Sequence, residues 1–275
     1  MINEPDEQPE SRAPEWALIT VTYNSASKLA EFWGDLPLND NVEWIVVDNA
    51  SQDDSVEVAR SLGARVVPLD RNRGFGGANN VGFEASAAPF VAFVNPDITV
   101  NLGSLDRLRE LIERTGAIVS PQLLYPDGRP QPNGRGYPFL ANKVLNRVEA
   151  EDRPSDYRRF APPGADIDVV WFMGAAVLGS RTTFDALGPW DERFFVYYED
   201  SDLGLRAARR GIRRIVSGHA RWVHGWARET TTLDLAAWRR ELPSMMKFYS
   251  RYPRLLSPWP TRSARNLSEK GWPRR

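Results

Sequence analysis

Polar residues that could bind a metal ion or a phosphate follow an apolar run in the first third of the chain. Phe90–Val94 is predicted to be a buried strand that ends at Asn95-Pro96-Asp97, because a proline lacks a backbone donor and disfavours continued pairing. Ligands of open α/β sheets bind at the carboxyl ends of the strands. The Asp97 carboxylate could therefore hold a divalent cation that carries a diphosphate, or it could only cap a turn.

A second acidic group, Glu199, Asp200 and Asp202, follows an aromatic run at residues 194–198. Carboxylates this close repel one another, so at least one should have a raised pKa, which suits a general base. Asp200 could instead be an ordinary helix N-cap. His224 lies at the end of a predicted strand, where it could be a metal ligand or simply a hydrogen-bonded polar residue.

The glycine-rich residues 74–79 are predicted to form a turn, which either lets a ligand approach the backbone closely or is only structural. The segment fails the dinucleotide-binding fingerprint, because Asn79 replaces the third glycine and Asp48 precedes the segment. A phosphate-binding loop of the Lys-Ser/Thr type is also absent from the sequence. These observations disfavour a nicotinamide-dependent oxidoreductase.

Strands and helices alternate with short connections, which is typical of a parallel α/β sheet. The predicted strands are residues 16–22, 42–48, 64–69, 90–94, 117–123, 212–216 and 220–223. Polar residues follow three of them, and these are Asp48, then Arg71 and Asn72, then Asn95 and Asp97. Since the carboxyl ends of parallel strands share one edge of a sheet, we expect these clusters to form one site.

The chain is predicted to have three parts: a flexible N-terminal tail (1–14), a main domain (15–232) and a C-terminal helix with a basic tail (233–275). Within the main domain, residues 131–164 are rich in Pro, Gly, Arg and Asp and show weak periodicity. A long, poorly structured insert of this kind is either a functional lid or a passive loop.

Composition restricts the class of protein further. The sequence has no cysteine, no apolar run near the roughly 20 residues of a membrane span, and a polar, acidic start, so we expect a cytoplasmic protein. Residues 201–275 carry 17 Lys and Arg against 5 Asp and Glu. This basic part is either a solvated surface or a face for anionic phosphates or an anionic membrane. No nucleic-acid motif accompanies the charge, so we expect no nucleic-acid partner.

Several of these segments together resemble the family-2 glycosyltransferases of the GT-A fold, most closely the bacterial cell-wall and O-antigen rhamnosyltransferases. The matching segments are Val21-Thr-Tyr-Asn24, Val46-Val-Asp-Asn-Ala-Ser51, Asn72-Arg-Gly-Phe-Gly-Gly-Ala-Asn-Asn80, Phe93-Val-Asn-Pro-Asp97, Gly174-Ala-Ala, residues 194–206 and His224. The resemblance implies a Rossmann-like, mixed but mainly parallel central sheet flanked by helices, with a C-terminal helical extension. It also implies a nucleotide-sugar half at about 15–123 and an acceptor half at about 165–232.

The resemblance implies a role for each matching position. Asn95 stands where the family's Asp-X-Asp motif has its first carboxylate; it would face the ribose, while Asp97 and His224 would hold a divalent cation, Mg²⁺ or Mn²⁺. Asp200 would be the general base, with Glu199 beside it. The nucleotide-sugar-binding positions would be Thr22, Tyr23, Asn24, Asp48, Asn72, Gly74, Phe75, Gly76, Asn79, Asn95 and Asp97. Acceptor-binding positions would be Trp171, Met173 and Gly174.

The implied function is an inverting, metal-dependent transfer of a sugar, with L-rhamnose from dTDP-rhamnose favoured, onto a polyprenyl-diphosphate-linked saccharide. Such an acceptor would bring the basic C-terminal helix, predicted at residues 233–252, to the inner face of the cell membrane as a peripheral contact; the alternative is that this helix packs on the core. Two other functions stay open: a transferase that uses a UDP-sugar, and a non-catalytic nucleotide-binding or scaffold protein.

Overall fold

The protein is described by a computed structural model that covers residues 13–148, 155–225 and 235–256. Its strands are β1 Trp16–Thr22, β2 Val42–Asp48, β3 Arg65–Pro68, β4 Phe90–Val94, β5 Ile98–Thr99, β6 Ile118–Leu124, β7 Gly134–Arg135, β8 Arg158–Arg159, β9 Asp166–Asp168, β10 Trp171–Phe172, β11 Ala176–Ser180 and β12 Arg214–His224. Its α-helices are α1 Ala26–Trp33, α2 Ser55–Ser61, α3 Gly74–Glu84, α4 Leu105–Thr115, α5 Leu140–Val148, α6 Arg181–Leu187, α7 Glu199–Arg209 and α8 Leu235–Arg251. Short 3-10 helices lie at Leu102–Ser104 and Pro253–Leu256.

A mixed sheet runs through the centre of the described residues in the order β3-β2-β1-β4-β11-β6-β12-β5, with β9 added beside β12. Strands β3, β2, β1 and β4 are parallel neighbours, and β12 is parallel to β6, whereas β11 is antiparallel to both β4 and β6. A smaller sheet, β10-β7-β8, lies at one side. The predicted α/β sheet is confirmed.

Helices cover both faces of the sheet, which is why the central strands read as continuous apolar runs. Alternate residues of β1 point to opposite faces, so Leu18 packs in one core cluster and Ile19 in another. Helix α4 contributes the buried Leu105, Leu108, Leu111 and Ile112 to the first cluster and ends at Gly116 in the left-handed conformation. Helix α3 lies close on β1, since a Cβ added at Gly82 would be 2.3 Å from Ile19 Cγ2.

Three predictions of local structure were wrong. The glycine-rich residues 74–79 are not a turn but the first part of α3, whose helical hydrogen bonds start at Gly74. The two predicted strands at 212–216 and 220–223 are one strand, β12, which tolerates a register shift between Ser217 and Arg221. The insert at 131–164 contains β7, α5 and β8 in its described part, so it is structured.

Helix α8 packs on the rest of the fold through Phe248 and Tyr249, which are buried together with Phe194, Tyr198 and the following Tyr252. Its other side carries Leu242 and Met246, which are 45% and 65% exposed. Of the two alternatives for this helix, packing on the core is therefore observed for one face. Residues 1–12 of the predicted N-terminal tail lie outside the described residues. The same holds for residues 233 and 234 at the start of the predicted C-terminal helix, and for residues 257–275 of the basic tail.

Candidate active site at the carboxyl ends of the strands

The predicted polar clusters meet at one edge of the sheet. Thr22, the last residue of β1, pairs with Asp48, the last residue of β2, and β4 runs parallel to β1 on its other side. Asn72 joins the same edge, because its side-chain oxygen accepts a hydrogen bond from the amide of Asn49 at 2.9 Å. The predicted placement of these strand ends at one edge of the sheet is therefore observed, while their function as one site stays a prediction.

The ends of β1 and β2 carry a group of buried polar atoms. Asp48 is 4% exposed, and its Oδ2 accepts a hydrogen bond from the Ser51 backbone at 3.2 Å. Its Oδ1 and the hydroxyl of Thr22 are both buried and have no hydrogen-bond partner among the described residues. A buried polar atom without a partner is costly, so this pair of atoms is suited to a ligand that brings its own polar groups.

The loop after β1 is tied to the loop after β2. Asn24 has a left-handed backbone conformation (φ 50°). Its backbone N–H donates to Ser51 Oγ at 2.9 Å, and its side-chain oxygen accepts from the backbone N–H of Gln52 at 2.7 Å. Tyr23, which precedes it and directly follows β1, is 50% exposed. A ring held in this position can stack on a planar base.

The start of α3 is fixed by side-chain oxygens and by close backbone packing. Asn72 Oδ1 accepts from Gly74 N at 2.9 Å, and the Phe75 N–H donates to the carbonyl of Phe195 at 2.9 Å. Gly74 has a φ of +75°, and a Cβ there would be 2.4 Å from the Phe195 carbonyl oxygen. Asn79 is 1% exposed and donates to the Phe75 carbonyl at 3.0 Å. The glycines thus bring α3 against the segment that precedes α7.

Asn95-Pro96-Asp97 is held in place by its backbone. The backbone N–H of Asn95 donates to the carbonyl of Ala175, the residue before β11, at 2.8 Å. Trp33 Nε1 donates to the Pro96 carbonyl at 3.2 Å, and the Gly225 N–H donates to the Asp97 carbonyl at 2.8 Å. The Asp97 side chain is therefore presented at a fixed point between α1 and the end of β12.

Two cationic or potentially cationic groups flank the Asp97 carboxylate. Lys28 Nζ of α1 is 3.1 Å from Oδ2, and His224 Nε2 is 3.5 Å from Oδ1. Burial is the largest influence and raises the pKa of Asp97, but the hydrogen bond and charge of His224 and the charge of Lys28 outweigh it and lower the pKa to about 2. Asp97 is an anion at any physiological pH.

Gln131 orients the His224 ring. Its amide nitrogen donates to the His224 carbonyl at 3.0 Å, so its oxygen faces His224 Nδ1 at 2.8 Å and accepts the ring N–H. This arrangement directs the other nitrogen, Nε2, toward Asp97. An oriented imidazole with its second nitrogen hydrogen-bonded is the usual setting of a histidine metal ligand.

The donor set at this point fits a divalent cation. Among the described residues no three His, Cys, Asp or Glu side chains converge as a closed cage. Mg²⁺ and its analogues do not need one, because they are commonly bound through one or two carboxylates together with substrate phosphates and waters. Asp97 and His224 are of the right kind to supply the protein's share.

The acidic motif at the start of α7 divides into three different environments. Asp202 is fully buried, 2.6 Å from Arg206 Nε, and accepts the Tyr252 hydroxyl at 2.7 Å, so it is structural. Glu199 is buried, and burial together with the charge of Asp200 raises its pKa to about 8. Asp200 is the partly exposed member. The prediction of one raised pKa is confirmed, and it belongs to Glu199.

The backbone before α7 is unusual, because Tyr197 and Tyr198 both have left-handed conformations, with φ of 68° and 71°. Such conformations cost about 1–3 kcal/mol each for residues other than glycine and persist where the surroundings enforce them. Packing of the Tyr198 ring against Phe248 and Tyr249 of α8, with ring centroids 5.1 and 5.9 Å apart, supplies that support. The turn sets the direction in which α7 begins and so where Asp200 lies.

Gly174 lies between the start of α3 and the start of α7. Its N–H donates to Asp200 Oδ2 at 3.4 Å, and a Cβ on it would lie 3.5 Å from both Asp200 Cβ and Phe75 Cε1. Trp190, whose ring is 5.1 Å from that of Phe75, closes the same spot. The structure therefore brings Asp200 next to the start of α3, although about 125 residues separate them in sequence.

The predicted acceptor residues lie beside this junction. Trp171 pairs with Arg135 in the small sheet and is 4% exposed. Met173 N donates to the Asn133 carbonyl at 2.9 Å, and its sulfur is 3.6 Å from Arg135 Nη2. Trp171 contacts α7 directly, since a Cβ at Gly204 would be 2.4 Å from Trp171 Cβ.

Sequence reasoning missed Lys28, Gln131, Lys143 and Trp190, all of which contact the predicted residues. None of the four is part of a motif. Lys28 lies on α1 just after the predicted Asn24, and Trp190 precedes the acidic motif. Gln131 and Lys143 lie in the insert at 131–164. A lysine or glutamine in such a segment is ordinarily a surface residue.

Solved structures with a similar backbone identify the fold. A mannosyltransferase from Pyrobaculum calidifontis, solved with GDP-Man and Mn²⁺, matches over 92% of this chain and 68% of its own, with a TM-score of 0.58 and 19% identity. Residues 1–349 of S. aureus TarS, solved with UDP-GlcNAc, match over 84% of this chain and 65% of theirs, with a TM-score of 0.56 and 18% identity. The protein has the GT-A glycosyltransferase fold.

Sequence comparison assigns the family. The family model for glycosyl transferase family 2 matches residues 17–173, more than half of the chain, so the protein belongs to that family. It is 30% identical over 235 residues to N-acetylglucosaminyl-diphospho-decaprenol L-rhamnosyltransferase of Mycobacterium tuberculosis, covering 78% of this chain and 76% of that protein. The protein is a family-2 glycosyltransferase similar to rhamnosyltransferases. Within the described residues no helix is long and apolar enough to cross a bilayer.

Proposed function

We propose that the protein transfers L-rhamnose from dTDP-rhamnose, with inversion at the anomeric carbon, to a hydroxyl of a saccharide linked to a polyprenyl diphosphate. The similarity to the mycobacterial rhamnosyltransferase carries this proposal, because it extends over three quarters of both chains. The geometry of Asp200, Gly174 and the strand ends agrees with such a reaction.

The donor nucleotide would bind at the ends of β1 and β2. Asp48 Oδ1 would accept a hydrogen bond from the base, and the Thr22 hydroxyl would accept one or donate one. The exposed ring of Tyr23 would stack on the base. Asn95 would face the ribose. The remaining donor contacts would come from Asn24, Asn72, Gly74, Phe75 and Gly76. Asn79 would contribute indirectly, because its buried side chain holds the Phe75 carbonyl at 3.0 Å and its own N–H lies beyond the first turn of α3.

Asp97 and His224 would hold a divalent cation, Mg²⁺ or Mn²⁺. A bound cation supplies charge stabilisation to the departing diphosphate, worth several kcal/mol in comparable reactions. Gln131 keeps His224 Nε2 directed at that position. Lys28, already 3.1 Å from Asp97, adds a further positive charge on the diphosphate side of the site.

The chemistry would be a single displacement at the anomeric carbon. As the acceptor oxygen forms its bond to that carbon, its proton passes to Asp200, and the bond to the nucleotide diphosphate breaks on the opposite face. Oδ2 is the oxygen for this task, because Oδ1 already accepts from Ser201 N at 2.6 Å and from Ser201 Oγ at 3.2 Å. Trp171, Met173 and Gly174 would line the acceptor side. Burial raises the pKa of Glu199 to about 8, so this neighbour is mostly protonated at neutral pH and is less suited than Asp200 to accept the proton.

A lipid-linked acceptor would require the protein to work at the cytoplasmic face of a membrane. The exposed apolar side chains Leu242 and Met246 of α8, and Val144 and Leu145 of α5, are suited to a peripheral contact. Co-sedimentation with vesicles of anionic lipid tests this contact. Recovery of all the protein in the supernatant would contradict it.

The function is tested by incubating the purified protein and a short-chain polyprenyl-diphosphate-linked N-acetylglucosamine with dTDP-rhamnose, UDP-GlcNAc, UDP-galactose and GDP-mannose in turn, with Mn²⁺, Mg²⁺ or EDTA. We expect transfer from dTDP-rhamnose alone, dependent on the cation, with product of inverted anomeric configuration by NMR. Transfer from a UDP-sugar would replace the proposed donor. Nucleotide binding without transfer or hydrolysis of any donor would favour a non-catalytic role.

A further inference from the structure

The insert between β6 and β9 places a lysine at the acidic motif. Lys143 of α5 lies with its Nζ 3.0 Å from Ser201 Oγ, one residue beyond Asp200. Its ammonium is also 4.2 Å from the centre of the Trp171 ring and 4.6 Å from that of Tyr198, so two aromatic faces hold it. The insert therefore closes over α7 and contributes a charged group to the site.

The hydrogen bonds of Ser201 have a defined direction. An ammonium can only donate, so the Ser201 hydroxyl accepts from Lys143 and its own hydrogen is available to Asp200 Oδ1, 3.2 Å away. The Ser201 N–H donates to the same oxygen at 2.6 Å. With Oδ1 engaged twice, Oδ2 lies toward the Gly174 amide at 3.4 Å, on the acceptor side.

We propose that Lys143 is a positioning residue, which acts through the Ser201 hydroxyl to hold the Asp200 carboxylate with Oδ2 toward the acceptor. The proposal rests on the proposed function, since it presumes that Asp200 accepts the acceptor's proton. The proposal gives the insert a role in proton transfer. The family match and the acidic motif do not indicate this role, because neither separates Lys143 from an ordinary surface lysine.

The charges around Lys143 are consistent with this role. Asp200 and Glu199 of α7 and Glu241 of α8 face it, as does Arg135 of β7. Burial lowers the pKa of Lys143 to about 8 in spite of the three carboxylates. At neutral pH the side chain is therefore largely protonated. The chain of hydrogen bonds from Lys143 through Ser201 to Asp200, called the relay below, should weaken as the pH rises through about 8.

The test uses Lys143→Met, which keeps the length and removes the charge, Lys143→Arg, which keeps the charge, and Ser201→Ala, which removes the hydroxyl. Lys247→Met is the matched control, because Lys247 lies on the exposed part of α8 and donates to the Arg193 carbonyl. Transfer kinetics, donor affinity by calorimetry and melting temperature are measured for each full-length variant.

We expect Lys143→Met and Ser201→Ala each to lower kcat about 10–100-fold, the range seen when a reacting group is misplaced, with donor affinity and acceptor KM within twofold of the parent. The double variant should fall no further than the lower single one, since both act on one contact chain. Lys143→Arg should restore most of kcat and remove the loss of activity above about pH 8. Lys247→Met should match the parent.

A kcat of Lys143→Met within twofold of the parent would overturn the relay, and so would a loss that appears only as a raised acceptor KM or additive losses in the double variant. If Lys143→Met melts too low to assay, Ser201→Ala decides alone. An active parent with unaffected variants refutes the relay and leaves the proposed function standing. A parent that transfers sugar from no donor refutes both.

Discussion

Replacing Asp200 by Asn tests the assignment of the general base most directly. The amide oxygen of Asn can take the place of Oδ1 and still accept both hydrogen bonds from Ser201, at 2.6 and 3.2 Å in the parent. The amide nitrogen takes the place of Oδ2, where the Gly174 N–H is 3.4 Å away and loses only a weak contact. The substitution therefore removes the proton-accepting oxygen and leaves the surrounding geometry intact.

The expected loss follows from what a positioned base contributes. General base catalysis is worth about 10²–10⁴-fold, which corresponds to about 3–5 kcal/mol of transition-state stabilisation. We expect kcat of Asp200→Asn to fall by that factor, while the affinity for the nucleotide-sugar changes less than twofold, because the donor site proposed above lies at the ends of β1 and β2 and not at Asp200.

The assay measures sugar transfer by chromatography of the glycolipid product, with donor affinity by calorimetry and stability by urea denaturation. Asp185→Asn is the matched control, since Asp185 is an exposed residue on α6. Turnover of Asp200→Asn within tenfold of the parent would refute the assignment of Asp200 as base. An equal loss in Asp185→Asn would mean that the assay reports something other than proton transfer.

Three further outcomes follow from the same site. Asp97→Ala should weaken donor affinity about tenfold or more in Mn²⁺ and leave it unchanged in EDTA, and calorimetry showing equal affinity in Mn²⁺ would contradict the metal role. Asp202→Ala should lower the free energy of unfolding by about 3–5 kcal/mol, because it leaves the buried Arg206 without its carboxylate; a change under 1 kcal/mol in urea denaturation would argue against this reading. The pKa of Glu199 is raised from 4.5 in the ordinary side chain to about 8 in the folded state. The folded state then binds the extra proton across this window, so Glu199 makes stability fall with rising pH between about 4.5 and 8, by at most about 1.4 kcal/mol per unit. Glu199→Gln should remove this slope, and a slope equal to the parent's would show that another group causes it.

The sequence by itself determined the central sheet and the edge at which its polar residues lie. Continuous apolar strands such as β2 and β4 can be buried on both faces only in a covered, mainly parallel sheet, and parallel strands necessarily end at one edge. The polar residues at the ends of these strands, such as Asp48 and Asp97, therefore lie at the same edge of the sheet. The sequence motifs were also sufficient to indicate the family.

Local signals misled where tertiary packing overrode them. Glycines normally break helices, yet residues 74–79 are helical because α3 must approach Phe195 and β1 more closely than a Cβ permits. The insert at 131–164 has weak periodicity, and its order comes from contacts with the rest of the fold, such as those of Gln131 with His224 and Phe139 with α8.

Only the tertiary structure decided how the three carboxylates of the acidic motif differ. In sequence Glu199, Asp200 and Asp202 are equivalent neighbours, and nothing in their spacing says which is charged, which is paired and which faces the site. That depends on Arg206 and Tyr252 for Asp202, on burial for Glu199, and on Gly174 for Asp200. The sequence specifies which groups are available for the chemistry, and packing decides the partners and the direction of each, because both depend on neighbours that lie far away along the chain.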